Sequence, residues 1–214
     1  MTPEAHAYLT QRCKIMRRLI RVHGPCTLAP ETARTPFESL VRAVAHQQLH
    51  GAAAETILRR FRGLFPSRRF PSARELASVS DDALRACGFS RAKIASLRDL
   101  AAKTLDGTVP ASRTIRAMSD AAIIERLVQV RGVGRWTVEM LLIFKLGRPD
   151  VFPADDYGIR DGFRIAHGLS EIPKPKDVLA HAERWRPHGT TAAWYLWQAA
   201  NAAKPKRPIA GANT

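Results

Sequence analysis

Leu127-Val128-Gln129-Val130-Arg131-Gly132-Val133-Gly134-Arg135-Trp136-Thr137 is the stretch on which the fold turns. One apolar helix is expected to end near Gln129, two glycines set two residues apart permit a tight turn with positive φ, and a second helix begins at once with Trp136, Val138, Leu141 and Leu142. The pattern predicts two helices pinned into a hairpin. Gly132 and Gly134 carry no side chain over their N–H groups, and the start of the next helix adds partial positive charge. A phosphate therefore fits against this turn, with Arg131 and Arg135 adding attraction. A plain helix–helix turn that needs glycine only for its geometry has the same appearance.

Working outward, the apolar spacing is helical nearly everywhere. Tyr8, Leu9, Ile15, Met16, Leu19 and Ile20 recur at three and four residues, as do Leu40, Val41, Val44 and Ala45, and then Ile57, Leu58, Phe61 and Leu64. Ser80-Asp81-Asp82, Ser90 and Ser119-Asp120 read as helix starts; Gly24, Gly63, Gly88, Gly107, Gly147 and Gly168 read as stops. Helices are expected over roughly 4–22, 36–48, 51–64, 72–77, 81–87, 91–105, 120–129, 134–146, 156–166, 176–184 and 190–202, with ends loose by a few residues. The fold class is all-α. From Lys204 onward, Lys204-Pro205-Lys206-Arg207-Pro208 reads as the start of a basic flexible tail, over residues 204–214.

Composition narrows the function classes. The chain has 214 residues, with 34 Lys+Arg against 19 Asp+Glu for a net charge of +15, and 45% of it is hydrophobic, so a disordered polybasic chain is excluded. Basic residues recur from Arg12 to Arg207 rather than on one amphipathic segment, which favours a large polyanion over a membrane surface. The three cysteines, Cys13, Cys26 and Cys87, form no C-x-x-C pair and are too few for a four-cysteine cluster; they fit a reducing cytosol. The N-terminus lacks the order of a signal peptide, and no apolar run approaches the roughly 18 residues of a membrane span. A cytoplasmic protein is expected.

The hairpin segment resembles the helix-hairpin-helix motif, Leu-x-x-Leu-Pro-Gly-Val-Gly-x-x-Thr, with Val130 and Arg131 at the second Leu and the Pro positions. That motif by itself implies sequence-independent DNA binding and no enzyme. Further on comes Val151-Phe152-Pro153-Ala154-Asp155-Asp156-Tyr157-Gly158-Ile159-Arg160. A carboxylate here can cap the helix carrying Ile159, Phe163 and Ile165. A second one beside DNA meets repulsion unless it has a task, and stabilising positive charge is such a task.

With hairpin, loop and aspartate in this order, the chain resembles the helix-hairpin-helix DNA glycosylase superfamily, and most closely its bacterial 3-methyladenine DNA glycosylase II branch. The match runs from about residue 36 to residue 202. It implies a two-lobed helical domain over residues 1–203, with a DNA cleft between intertwined lobes and no extra N-terminal α/β domain. By this resemblance the catalytic residue is Asp156 and Asp155 caps or orients. The base pocket is walled by Trp136, Trp197 and Met140, the last standing where a relative carries Tyr. The DNA-binding hairpin comprises Arg131, Gly132, Val133, Gly134, Arg135 and Thr137. Gln48 and Leu49, in Ala45-His46-Gln47-Gln48-Leu49-His50, fall at the wedge position, while Gln47 reads equally as a buried cap of a helix end.

Cleaving an N-glycosidic bond builds oxocarbenium character on the sugar, which a carboxylate stabilises, and an N-alkylated purine leaves readily because it is already cationic. Strand-nicking members of the superfamily place a Lys where this chain has Trp136, and an indole forms no imine, so a monofunctional hydrolase is implied. No cofactor and no catalytic metal are implied. His46 and His50 stand four apart, but no third ligand at suitable spacing completes a zinc set. The resemblance does allow a monovalent cation on the carbonyls of Val128, Val130 and Val133. The expected partner is double-stranded DNA containing damaged bases, bound by a monomer. A non-catalytic damage-sensing module, or a glycosylase for oxidised, deaminated or mismatched bases, would share the hairpin. Trp185 and Trp194 read as ordinary helix packing.

Overall fold

The computed structural model describes residues 3–66 and 70–204. Among the described residues there are thirteen α-helices and no β-strand, in line with the all-α expectation. Residues 205–214, most of the expected basic tail, lie outside the described residues. No helix among the described residues is long and apolar enough to cross a membrane. The chain divides into two compact units. A terminal unit joins the residues up to Ala29 with those from Arg148 onward; a central unit spans Pro30–Gly147.

The central unit holds α3 (Pro36–His46), α4 (Gly51–Arg62), α5 (Ala73–Ser78), α6 (Asp81–Cys87), α7 (Arg91–Leu105), α8 (Ser112–Ala117), α9 (Asp120–Leu127) and α10 (Arg135–Phe144). Its helices begin where hydroxyl caps stand. Thr35 accepts the Glu38 N–H ahead of Pro36, Ser72 and Glu75 form a capping box, and Ser80, Ser90 and Ser119 each accept an N–H three residues on. α7 packs against α3 and α5, burying Leu97 and Leu100, while Phe61 of α4 meets Phe65 and Phe89 edge-on at centroid distances of 5.3 and 5.7 Å. α8 escapes the apolar periodicity because it is only six residues long and buries Ile115 alone.

The terminal unit holds α1 (Pro3–Arg12), α2 (Lys14–His23), α11 (Tyr157–His167), α12 (Pro175–Ala182) and α13 (Gly189–Ala203). The single helix expected over 4–22 is two. Cys13 is extended, with φ −142° and ψ 115°, and this break lets both Leu9 and Met16 reach full burial in one core. No Gly or Pro marks the break, so the sequence carries no signal of it. α11 and α13 approach to backbone contact: a Cβ on Gly162 would lie 1.9 Å from the Leu196 carbonyl oxygen. Trp185 and Trp194 are buried in this core, as the packing reading expects.

Candidate active site and DNA-binding hairpin

In the terminal unit, Asp156 ends the loop that begins at Arg148 and starts α11. Its Oδ1 accepts the backbone N–H of Ile159 at 2.9 Å and the indole Nε1–H of Trp197 at 2.8 Å. Asp156 is therefore itself the N-cap, with φ −64° and ψ 124°, and the capping role expected for Asp155 is corrected: Asp155 is exposed, one residue before the cap. Two donors on one oxygen hold the carboxylate in a fixed orientation at the unit's surface. The indole can come this close because residue 158 is glycine. A Cβ there would stand 3.1 Å from both Asp156 Oδ1 and Trp197 Cδ1.

The loop leading to Asp156 is stitched to the start of α13. Thr190 Oγ1 accepts the Val151 N–H at 2.9 Å and donates to the Arg148 carbonyl at 2.6 Å. Asp150 accepts the Gly189 N–H at 3.0 Å and the Arg186 Nε–H at 2.9 Å. Thr190 and Asp150 thus fix the loop on the helix that carries Trp197. Neither is legible beforehand, because each bonds some forty positions away.

In the central unit, α9 and α10 form the expected hairpin. Gly132 takes φ +77°, the left-handed conformation that favours glycine, and Gly134 is the extended N-cap of α10. Arg131, Gly132, Gly134 and Arg135 are exposed. Val133 and Thr137 have buried side chains, so their part in the expected DNA-binding set is to seat the turn, with Val133 donating its N–H to Val130 at 3.0 Å. Arg135 pairs with the buried Glu139 at 2.9 Å while much of its guanidinium stays in solvent.

α7 supports the hairpin from behind. Asp99 Oδ2 accepts the Arg131 backbone N–H at 2.7 Å, and its Oδ1 meets Lys103 Nζ at 3.0 Å. Burial pushes the Asp99 carboxyl up, but that N–H and the Lys103 ammonium outweigh it and hold the group below its ordinary value.

A cavity of about 770 Å³ opens beside the hairpin within this unit, lined by Trp136, Met140, Thr137, Arg131, Gly132 and Gln48 among others. Trp136 is 46% exposed, so it is a wall of this cavity and not core. Gln48 is exposed at the turn between α3 and α4 and stands in the left-handed region at φ +56°; Leu49 follows, 40% exposed, and lies outside the cavity lining. Gln47 is the C-cap residue of α3, its backbone N–H donating to the Ala43 carbonyl at 3.2 Å, while its side-chain amide donates to the Gly132 carbonyl at 2.7 Å. His46 faces Glu55 at 3.0 Å, and His50 stands at the N-cap of α4 without a side-chain bond to it.

Residues 41–187 match the family model of the HhH-GPD superfamily base excision DNA repair proteins, and the chain belongs to that superfamily. It is 47% identical to DNA-3-methyladenine glycosylase 1 of Schizosaccharomyces pombe over 82% of this chain and 77% of that protein. DNA-3-methyladenine glycosylase 2 of Escherichia coli is 31% identical over 75% of this chain and 56% of its own length. A solved structure of the S. pombe 3-methyladenine DNA glycosylase in complex with abasic DNA superposes with a TM-score of 0.82 at 43% identity, covering 91% of this chain and 95% of that one. A DNA-3-methyladenine glycosidase of Bacillus halodurans gives 0.83 at 33% identity, with 93% and 89% covered. Within the superfamily, the chain falls in the 3-methyladenine DNA glycosylase branch.

Proposed function

We propose that this protein is a monofunctional DNA glycosylase of base excision repair that hydrolyses the N-glycosidic bond of alkylated purines such as 3-methyladenine and 7-methylguanine, leaving an abasic site. The observation that carries the reading is the Asp156 carboxylate, fixed at the start of α11 by the Ile159 N–H and the Trp197 indole. As the glycosidic bond lengthens, positive charge grows on the deoxyribose, and a preoriented carboxylate stabilises it without reorganising. The same group can orient the attacking water or take its proton. An alkylated purine departs as a neutral base, so little acid assistance is needed. In the terminal unit the Trp197 indole beside Asp156 supplies a flat face on which a cationic ring stacks, and in the central unit Trp136 offers a flat face of its own at the cavity wall.

On the DNA side, Arg131, Arg135 and the backbone N–H groups of Gly132 and Gly134 take the phosphates, while Gln48 and Leu49 enter the gap left by the flipped base. The Val128, Val130 and Val133 carbonyls are the donor set for a monovalent cation between hairpin and phosphate. The enzyme acts as a monomer on double-stranded DNA.

Incubation with methylated DNA and assay of free bases tests this directly. Asp156→Asn keeps the cap, because asparagine also accepts an N–H, and is expected to lower base release by about a thousandfold with duplex affinity retained. Normal release by this variant would remove Asp156 from the chemistry, and no release by the parent protein from any lesion would leave a binding module. With Trp136 where strand-nicking relatives place a lysine, abasic sites should accumulate uncut and borohydride should trap no covalent adduct. A trapped adduct would mean that an amine elsewhere in the chain attacks the sugar.

A further inference from the structure

The turn between α3 and α4 holds a strained residue. Gln48, at φ +56°, is the one non-glycine with positive φ among the described residues, and such a conformation persists only where the surroundings hold it. Three side chains do so. Lys93 Nζ donates to the Ala45 carbonyl at 2.7 Å, His46 meets Glu55 at 3.0 Å, and the Gln47 amide donates to the Gly132 carbonyl at 2.7 Å. The last of these reaches into the hairpin itself. The residue it grips cannot yield easily: Gly132 lies so close to α7 that a Cβ would stand 2.5 Å from Ser96 Oγ, and the preceding N–H, from Arg131, is held by Asp99. The Gly132 carbonyl is thus a fixed point, and the Gln47 amide ties the turn to it.

We infer that Gln47 is a positioning residue that latches the turn carrying Gln48 and Leu49 onto the hairpin, setting the side chains that enter the base stack at a constant offset from the groups that grip the backbone. The inference rests on the glycosylase reading above. Flipping a base requires the wedge to enter at a fixed distance from the phosphates that anchor the protein, and a turn free to slide would spend its binding energy on ordering itself. The latch acts through Gln48 and Leu49 and not on the reacting atoms.

Gln47→Met preserves length and volume and removes the amide that donates to Gly132. In single-turnover assays on methylated duplex, it is expected to lower the base-release rate about tenfold, with affinity for undamaged duplex and the melting temperature unchanged. The fluorescence of 2-aminopurine beside the lesion should fall in parallel. In a Gln48→Gly background, which relieves the strain and removes the entering side chain, the same substitution should change the rate less than twofold. An equal loss in both backgrounds, or no loss in either, overturns the latch. Parent-protein base release separately decides the glycosylase reading. Independently of catalysis, amide exchange at Leu49 and Val133, whose N–H groups bond His46 and Val130, should quicken in Gln47→Met; unchanged exchange at both overturns the latch whatever the enzyme does.

Discussion

At the scale of single residues, the site depends on small geometric permissions. Asp156 is placed by its own cap, Trp197 by the absence of a side chain at Gly158, and the two meet at 2.8 Å. Trp197→Phe keeps the flat face and deletes the Nε1–H. The Asp156 carboxylate then loses the indole donor, and base release should fall about tenfold while methylated-duplex affinity stays within twofold. Steady-state and single-turnover rates on the same substrate measure this; a variant as fast as the parent would reduce the indole to a stacking surface. Asp156 stands out from its loop and from the family pattern, whereas Trp136 and Trp197 are singled out by the family pattern and not by their spacing. Asp99, Asp150 and Thr190 were not legible, because an Asp or Thr far from its partner in sequence looks like any solvated polar residue. Gln47 was visible but ambiguous: its neighbour in space, the Gly132 carbonyl, is supplied by a segment 85 positions away.

Among the elements, α11, α12 and the short 3₁₀ turn Glu183–Trp185 that follows α12 build an aromatic cluster in the terminal unit. His167 stacks on Phe163 at 3.8 Å, and His181 meets the rings of His167, Phe163 and Trp185 edge-on at 4.9 to 5.1 Å. Burial, then the nearby Arg184 and then His167, push the His181 imidazole down from 6.5 to about 4. Between those two values the unfolded chain binds a proton that the folded one refuses, so stability is fully present above pH 6.5 and declines as pH falls toward 4. Replacing it with a neutral side chain, His181→Leu, should flatten that decline. Urea melts at pH 5 and pH 7 are the measurement, and an unaltered pH dependence would place the titration elsewhere, with His167, also lowered by burial, the first group to examine. Helix starts were readable at this scale because hydroxyl caps are local chemistry. The break at Cys13 was not, since it answers to the burial of Leu9 and Met16 in a core assembled from distant segments.

For the molecule as a whole, the charge of +15 makes DNA affinity a matter of counterion release. Binding should weaken linearly on a log–log plot against salt, and Arg131→Ala should reduce the slope by about one while weakening all duplex sequences alike; a slope unchanged by that substitution would take Arg131 off the phosphates. The glycine hairpin, the helical periodicity, the hydroxyl caps and the aspartate loop were determined by the sequence alone, because each is a local matter of backbone freedom, side-chain period or residue order. Only tertiary structure decided that Asp156 rather than Asp155 caps α11, that Trp136 is a cavity wall, that Val133 and Thr137 point inward, and that Gln47 ties the turn before α4 to the hairpin. Those outcomes depend on which groups arrive beside each residue from remote parts of the chain. Burial and hydrogen-bond partners are properties of that assembly, and no window of sequence contains them.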